Sequence, residues 1–175
     1  MKRLVFILVA IGALAVSISA QMQQPIANRQ AEMKKLDKLV GTWKGSGWYI
    51  AQGGKRETFT GAETVQSKVD GLAVLVEGKH MSPDGKVIHE TLAVLSYDEA
   101  GKIYKFATYL AGGPTGTYDF KVVPDGYEWG FQTPNGGTIK YLIKADANVW
   151  LETGEFSRDG KTWTKIFEMK LDRVK

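Results

Sequence analysis

The 175-residue chain has 23 basic and 19 acidic residues, a formal net charge of +4, 43% hydrophobic residues and no cysteine. That composition is ordinary for a single globular domain and excludes a disordered chain. The missing cysteine excludes disulfides, thiolate metal sites and a cysteine-linked lipid anchor. A nearly balanced charge without a basic block speaks against nucleic acid or an anionic membrane surface as partner.

The chain opens with "MKRLVFILVAIGALAVSISAQ": Lys2 and Arg3, an apolar run from Leu4 to Val16, then small residues before Gln21. This pattern predicts a secretory signal peptide over residues 1–20, cleaved after Ala20. The apolar run is shorter than the roughly 20 residues a spanning helix needs. Cleavage takes Lys2 and Arg3 with it and lowers the net charge from +4 to +2. The expected product is exported, to the periplasm or the medium, with no stable membrane insertion.

Residues 21–40 are expected to form an N-terminal helix. Pro25 suits a first turn, and Ile26, Met33, Leu36 and Val40 recur at helical spacing. Lys34, Lys35 and Lys38 favour the C-terminal end of the dipole, and Gly41 stops the helix.

From residue 41 to 175 the texture changes. Short runs rich in Val, Ile, Thr, Tyr, Phe and Trp alternate with the turn clusters "AQGGKR", "KVDG", "SPDGK", "DEAGK", "GGPTG", "VPDG", "TPNGG", "ADAN" and "SRDGK". These separate about ten strands: Thr42–Ala51, Glu57–Ser67, Leu72–Met81, Lys86–Tyr97, Lys102–Ala111, Thr117–Val123, Tyr127–Thr133, Thr138–Lys144, Val149–Ser157 and Thr162–Arg173. Short connections join antiparallel neighbours, which makes an up-and-down meander the simplest topology. Closing it removes both open edges. The expected fold is therefore all-β, an antiparallel up-and-down barrel of about ten strands preceded by a helix.

Alternation assigns faces. Ile139, Tyr141 and Ile143 oppose Thr138, Lys140 and Lys144; Tyr118, Phe120 and Val122 oppose Asp119 and Lys121; Trp163, Phe167, Met169 and Leu171 oppose Thr164, Glu168, Lys170 and Asp172. In "LVGTWKGSGW" the helix runs directly into the first strand. Trp43 is expected to plug the base there, with Gly45 and Gly47 leaving room where the strand bends or neighbours approach closely.

The segment "GTWKGSG" reads Gly-x-Trp-x-Gly-x-Gly and resembles the opening motif of the nitrobindin-like proteins, which are calycins like the lipocalins and fatty-acid-binding proteins. With "HETLAVLSYD" and "GEFSRDGKTWTKIFEMKL", the whole mature chain resembles a group of exported bacterial lipocalin-like proteins with no assigned activity. The resemblance implies a ten-stranded barrel around an interior cavity. It also implies a basic side chain from the last strand packed across the first-strand tryptophan, a structural closure of the barrel that falls to Arg173 and Trp43. Nitrobindins hold haem through a histidine in their C-terminal portion, and here the chain departs from them: its histidines are His80 and His89. Tyrosine can also ligate haem iron, but nothing singles out one of Tyr109, Tyr118 and Tyr141. No cofactor is therefore expected.

His80 and His89 flank "SPDGK" on paired strands. A four-residue loop would put them on one face; a three-residue loop with a Gly85 bulge would put them on opposite faces. Two imidazoles alone make an incomplete zinc site, and no metal site is expected. The chain has no thiol nucleophile, Gly-x-Ser-x-Gly elbow, phosphate loop or His-Glu-x-x-His, so no catalytic residues are assigned and no enzymatic activity is expected. Glu63, Glu77, Glu90 and Glu155 are expected to face solvent.

The five tryptophans, seven tyrosines and seven phenylalanines are many for this length. A ten-stranded barrel is wider than one whose side chains just fill it. Tyr104, Phe106, Tyr118, Phe120, Trp129, Phe131, Tyr141 and Trp163 are expected to line a ligand cavity. The leading expectation is a non-catalytic carrier of a small hydrophobic or amphipathic molecule. The alternatives are a haem-binding, nitrobindin-like isomerase and an envelope scaffold or interaction protein.

Overall fold

The structure is a computed structural model that describes residues 25–174; the expected signal peptide lies outside the described residues. A helix, α1, occupies residues 25–33 and tightens into a 3-10 helix over Lys34–Leu39. Ten strands follow: β1 Gly41–Ile50, β2 Arg56–Lys68, β3 Ala73–Met81, β4 Val87–Asp98, β5 Ile103–Leu110, β6 Gly116–Val123, β7 Gly126–Gln132, β8 Thr138–Ala145, β9 Val149–Ser157 and β10 Thr164–Arg173. Each pairs antiparallel with the next, and β1 pairs with β10 from Trp43 opposite Arg173 to Tyr49 opposite Phe167. The closed up-and-down barrel expected from the turn spacing is the fold observed.

The tightening at the helix end sets which face it buries. With three residues per turn, Met33, Leu36 and Leu39 fall in one line, and all three are at most 3% exposed. The face expected from regular α spacing is corrected accordingly: Ile26 is 38% exposed, and Leu39 rather than Val40 completes the buried row. Helix ends leave carbonyl groups without partners, and here the barrel supplies donors. The Tyr104 hydroxyl donates to Glu32 O, the Tyr127 hydroxyl to Lys35 O, and the Trp43 indole N–H to Leu39 O at 2.8 Å.

Trp43 is fully buried, edge-on to Trp150 at 5.8 Å between ring centres. The Arg173 guanidinium lies 3.9 Å from the centre of its ring. That guanidinium also donates to the carbonyls of Lys38, Val40 and Ala147, tying together the helix end, β1 and the β8–β9 loop. Gly41 makes this possible: its φ of +147° suits glycine, and a Cβ there would occupy the position of the guanidinium. Leu36, Leu39, Trp43, Leu95, Phe120, Trp150 and Leu171 belong to one buried cluster, so the solid core sits at the helix end.

Candidate functional site

Away from the helix the barrel is hollow. A cavity of about 540 Å³ extends from Leu39 and Trp150 toward the opposite rim, where Ile88, Leu110 and Pro114 border it. Phe106, Tyr118, Phe120, Trp129, Phe131 and Tyr141 line it. Two expected wall residues are corrected. Tyr104 is buried beyond the cavity, at the helix end, where its hydroxyl bonds the Glu32 backbone carbonyl and, at 2.8 Å, the Glu32 carboxylate.

Trp163 lies just before β10 on the outer side, where the Lys140 ammonium stands 4.8 Å from its ring centre. The cause is a register shift between Lys165 and Phe167 against β9, an inserted residue that reverses the alternation upstream. Phe167 therefore points into the cavity and Trp163 away from it.

The wall is an aromatic belt. Phe106 meets Trp129 at 5.1 Å, and Trp129 stacks on Tyr141 at 4.5 Å. Tyr141 meets Phe167 edge-on at 5.7 Å, Phe167 stacks on Phe59 at 5.7 Å, and Phe59 stacks on His80 at 4.6 Å. His80 in turn stacks on His89 at 5.0 Å.

The histidines share a face by a route that neither loop alone provides. Gly85 N–H bonds Ser82 O and Ser82 N–H bonds Lys86 O, with Gly85 at φ +82°, which closes a tight turn over Pro83-Asp84-Gly85. That turn alone would set Ile88 opposite His80. A register shift beside His80 and Met81 inserts Ile88, and His80 comes to pair directly with His89.

Two carboxyls and two imidazoles, those of Glu63, Glu152, His80 and His89, line the cavity. Glu63 on β2 is corrected from solvent to interior: its side chain is 7% exposed and its Oε1 lies 3.1 Å from His80 Nε2. Burial pushes the Glu63 carboxyl up to about 8 and pulls the His80 imidazole down to about 4. Burial thus disfavours the charged form of both partners, and the 3.1 Å separation is that of a hydrogen bond between them. His89 is held near 4 by burial and by its neighbour His80.

Glu152 on β9 is raised to about 7, first by burial and then by the charge of Glu63. The Trp150 indole N–H, donating to its Oε2 at 3.3 Å, works in the opposite direction. Tyr141 is raised by burial and by Glu152. Gly78 leaves the space that Glu63 fills: a Cβ there would lie 2.5 Å from Glu63 Oε2. Glu77 and Glu90 are exposed, and Glu155 faces outward on the phase that pairs with Lys140 and Lys165.

Sequence reasoning passes over Glu152 and leaves Glu63 outside. The signal is available in the alternation: Phe59, Gly61, Glu63 and Val65 share one parity on β2, as do Trp150, Glu152 and Gly154 on β9.

Among the described residues, no three His, Asp or Glu side chains are grouped as metal ligands. The residues present do not fit haem held as the resemblance implies. The cavity wall contributed by β7–β10 carries no imidazole, and the histidines stand on β3 and β4, with His80 Nε2 already engaged by Glu63.

No protein-family profile and no curated protein matches the chain. Among solved structures, the chain is similar to the one titled "Crystal Structure of Rv2717c from M. tuberculosis", with a TM-score of 0.61 over 82% of this chain and 97% of that one, at 14% identity. At that identity the likeness extends to the fold alone, which in this chain is a closed ten-stranded antiparallel barrel.

Proposed function

We propose that the protein is an exported, non-catalytic carrier that holds a small hydrophobic or amphipathic molecule inside its barrel. The observation that carries this reading is the roughly 540 Å³ cavity, apolar over most of its wall and closed at one end by the helix. Pockets of a few hundred Å³ with aromatic walls and a few convergent polar groups are the usual form of small-molecule sites. Export rests on the charged, apolar and small-residue pattern of residues 1–20. A scaffold that used the barrel only as a support would gain nothing from leaving its centre hollow, because voids weaken a core.

The test is a titration with N-phenylnaphthylamine, an uncharged probe that fluoresces in apolar surroundings. One probe per barrel is expected to bind and brighten. Thr108→Phe, which fills the cavity from β5, is expected to abolish the signal while leaving the far-ultraviolet circular dichroism unchanged. Probe binding unaffected by that substitution would overturn the cavity as the site. A Soret band on adding one equivalent of hemin would favour the haem reading instead.

A further inference from the structure

The polar groups of the cavity restrict what its occupant can be. Resting on the pocket reading above, we propose that the ligand is an apolar amine, its ammonium received by the carboxyl groups of Glu63 and Glu152 and its hydrocarbon or aryl body lying along Phe59, Phe167, Tyr141 and Trp129.

Three observations converge. First, neither lysine nor arginine is among the cavity-lining residues, while two carboxyl groups are, on strands β2 and β9. An anionic head group would have to bury its charge beside two acids, with only His80 and His89 to answer it, and both resist protonation. Second, Glu63 on β2 and Glu152 on β9 line the same cavity and are separated around the closed barrel only by β1 and β10, an arrangement in keeping with the charge of one raising the other. Two carboxyls competing for ionisation in a dry site are relieved by one cation placed between them. Third, the belt presents ring faces beside this pair, with Trp129 and Tyr141 stacked 4.5 Å apart. Ring faces attract an ammonium and accept an apolar chain equally well. The remaining phenols on the cavity wall are Tyr49 on β1 and Tyr118 on β6, neither of which can carry a positive charge.

The proton balance follows. An alkyl amine arrives as the ammonium, and at pH 6 both carboxyls are protonated. The salt bridge forms when one carboxyl gives its proton to the buffer, so binding releases about one proton and tightens as pH rises through about 7.

The experiment is isothermal titration with three probes that share a body and differ in head group: phenylbutylamine, phenylbutyrate and phenylbutanol. The amine is expected to bind about tenfold or more tighter than either of the others at pH 7. Its heat is expected to vary with the ionisation enthalpy of the buffer, as proton release requires. Glu63→Gln combined with Glu152→Gln is expected to erase the preference, and the buffer dependence of the unsubstituted protein tests the same salt bridge without any variant. The acid or the alcohol binding as tightly as the amine would overturn the amine assignment and leave the pocket reading standing. The same follows if none of the three binds while N-phenylnaphthylamine does. If that probe fails as well, both readings fall.

Discussion

At Glu63 burial raises the carboxyl to about 8, and at Glu152 to about 7, so both bind protons more tightly in the folded chain than in the unfolded one. The stability they contribute is complete below the ordinary carboxyl range and is lost as pH rises through about 7 to 8. His80 and His89, held near 4, act with the opposite sign. Their contribution is present above the ordinary imidazole value and is lost as pH falls through about 4. The barrel is therefore expected to be most stable at about pH 5–6 and to lose roughly 2–4 kcal/mol between about pH 6 and pH 9. Urea unfolding across that range checks this, and Glu63→Gln should remove most of the alkaline loss, since Glu63 has the higher of the two values. A flat profile from pH 6 to 9 would mean that the carboxyls titrate in the barrel as they do in water. Half of this is legible in the chain: the parity of Phe59, Glu63 and Val65 is there to read. What cannot be read is that Gly78, on the neighbouring strand, leaves the space in which the carboxyl settles.

Between elements, the decisive contact is the one that fastens the helix to the first and last strands. Arg173 lies across Trp43 and spans the carbonyls of Lys38, Val40 and Ala147, so one side chain holds three segments distant in sequence. Arg173→Ala is expected to cost about 2 kcal/mol, combining the lost ring contact with unanswered carbonyls. The melting temperature should fall by roughly 5 °C, and Arg173→Lys should recover only part, since an ammonium cannot fork across separated acceptors. An unchanged melting temperature in Arg173→Ala would mean the fastening adds nothing. The strands are legible because turn residues and alternation mark them independently of tertiary context. The bulges at Ile88 and beside Ile166 are not, since one inserted residue leaves composition unchanged while reversing every face beyond it. Alternation alone therefore puts Trp163 in the wall and leaves the two histidines ambiguous.

For the whole molecule, closure matters more than any single contact. Every strand has two neighbours, and β1 and β10 meet along seven paired positions. Without an edge strand, no strand can fray from the side, and local opening is confined to the hairpin ends. Amide hydrogen exchange in Trp43–Trp48 and in Phe167–Leu171 is therefore expected to proceed only through global unfolding, with the same free energy and the same denaturant dependence as the central strands β3 and β4. Markedly faster exchange along this seam would show that the barrel breathes where its termini join.

The helix sealing one end has a kinetic corollary. Among the described residues, Leu36, Leu39 and Trp43 stop the base, so traffic into and out of the hollow passes the opposite rim of Ile88, Leu110 and Pro114. Widening or narrowing that rim changes arrival and departure by the same factor. Rim residues thus govern how long an occupant stays without altering how much of it is held at equilibrium, and the choice of occupant is left to the groups deep inside.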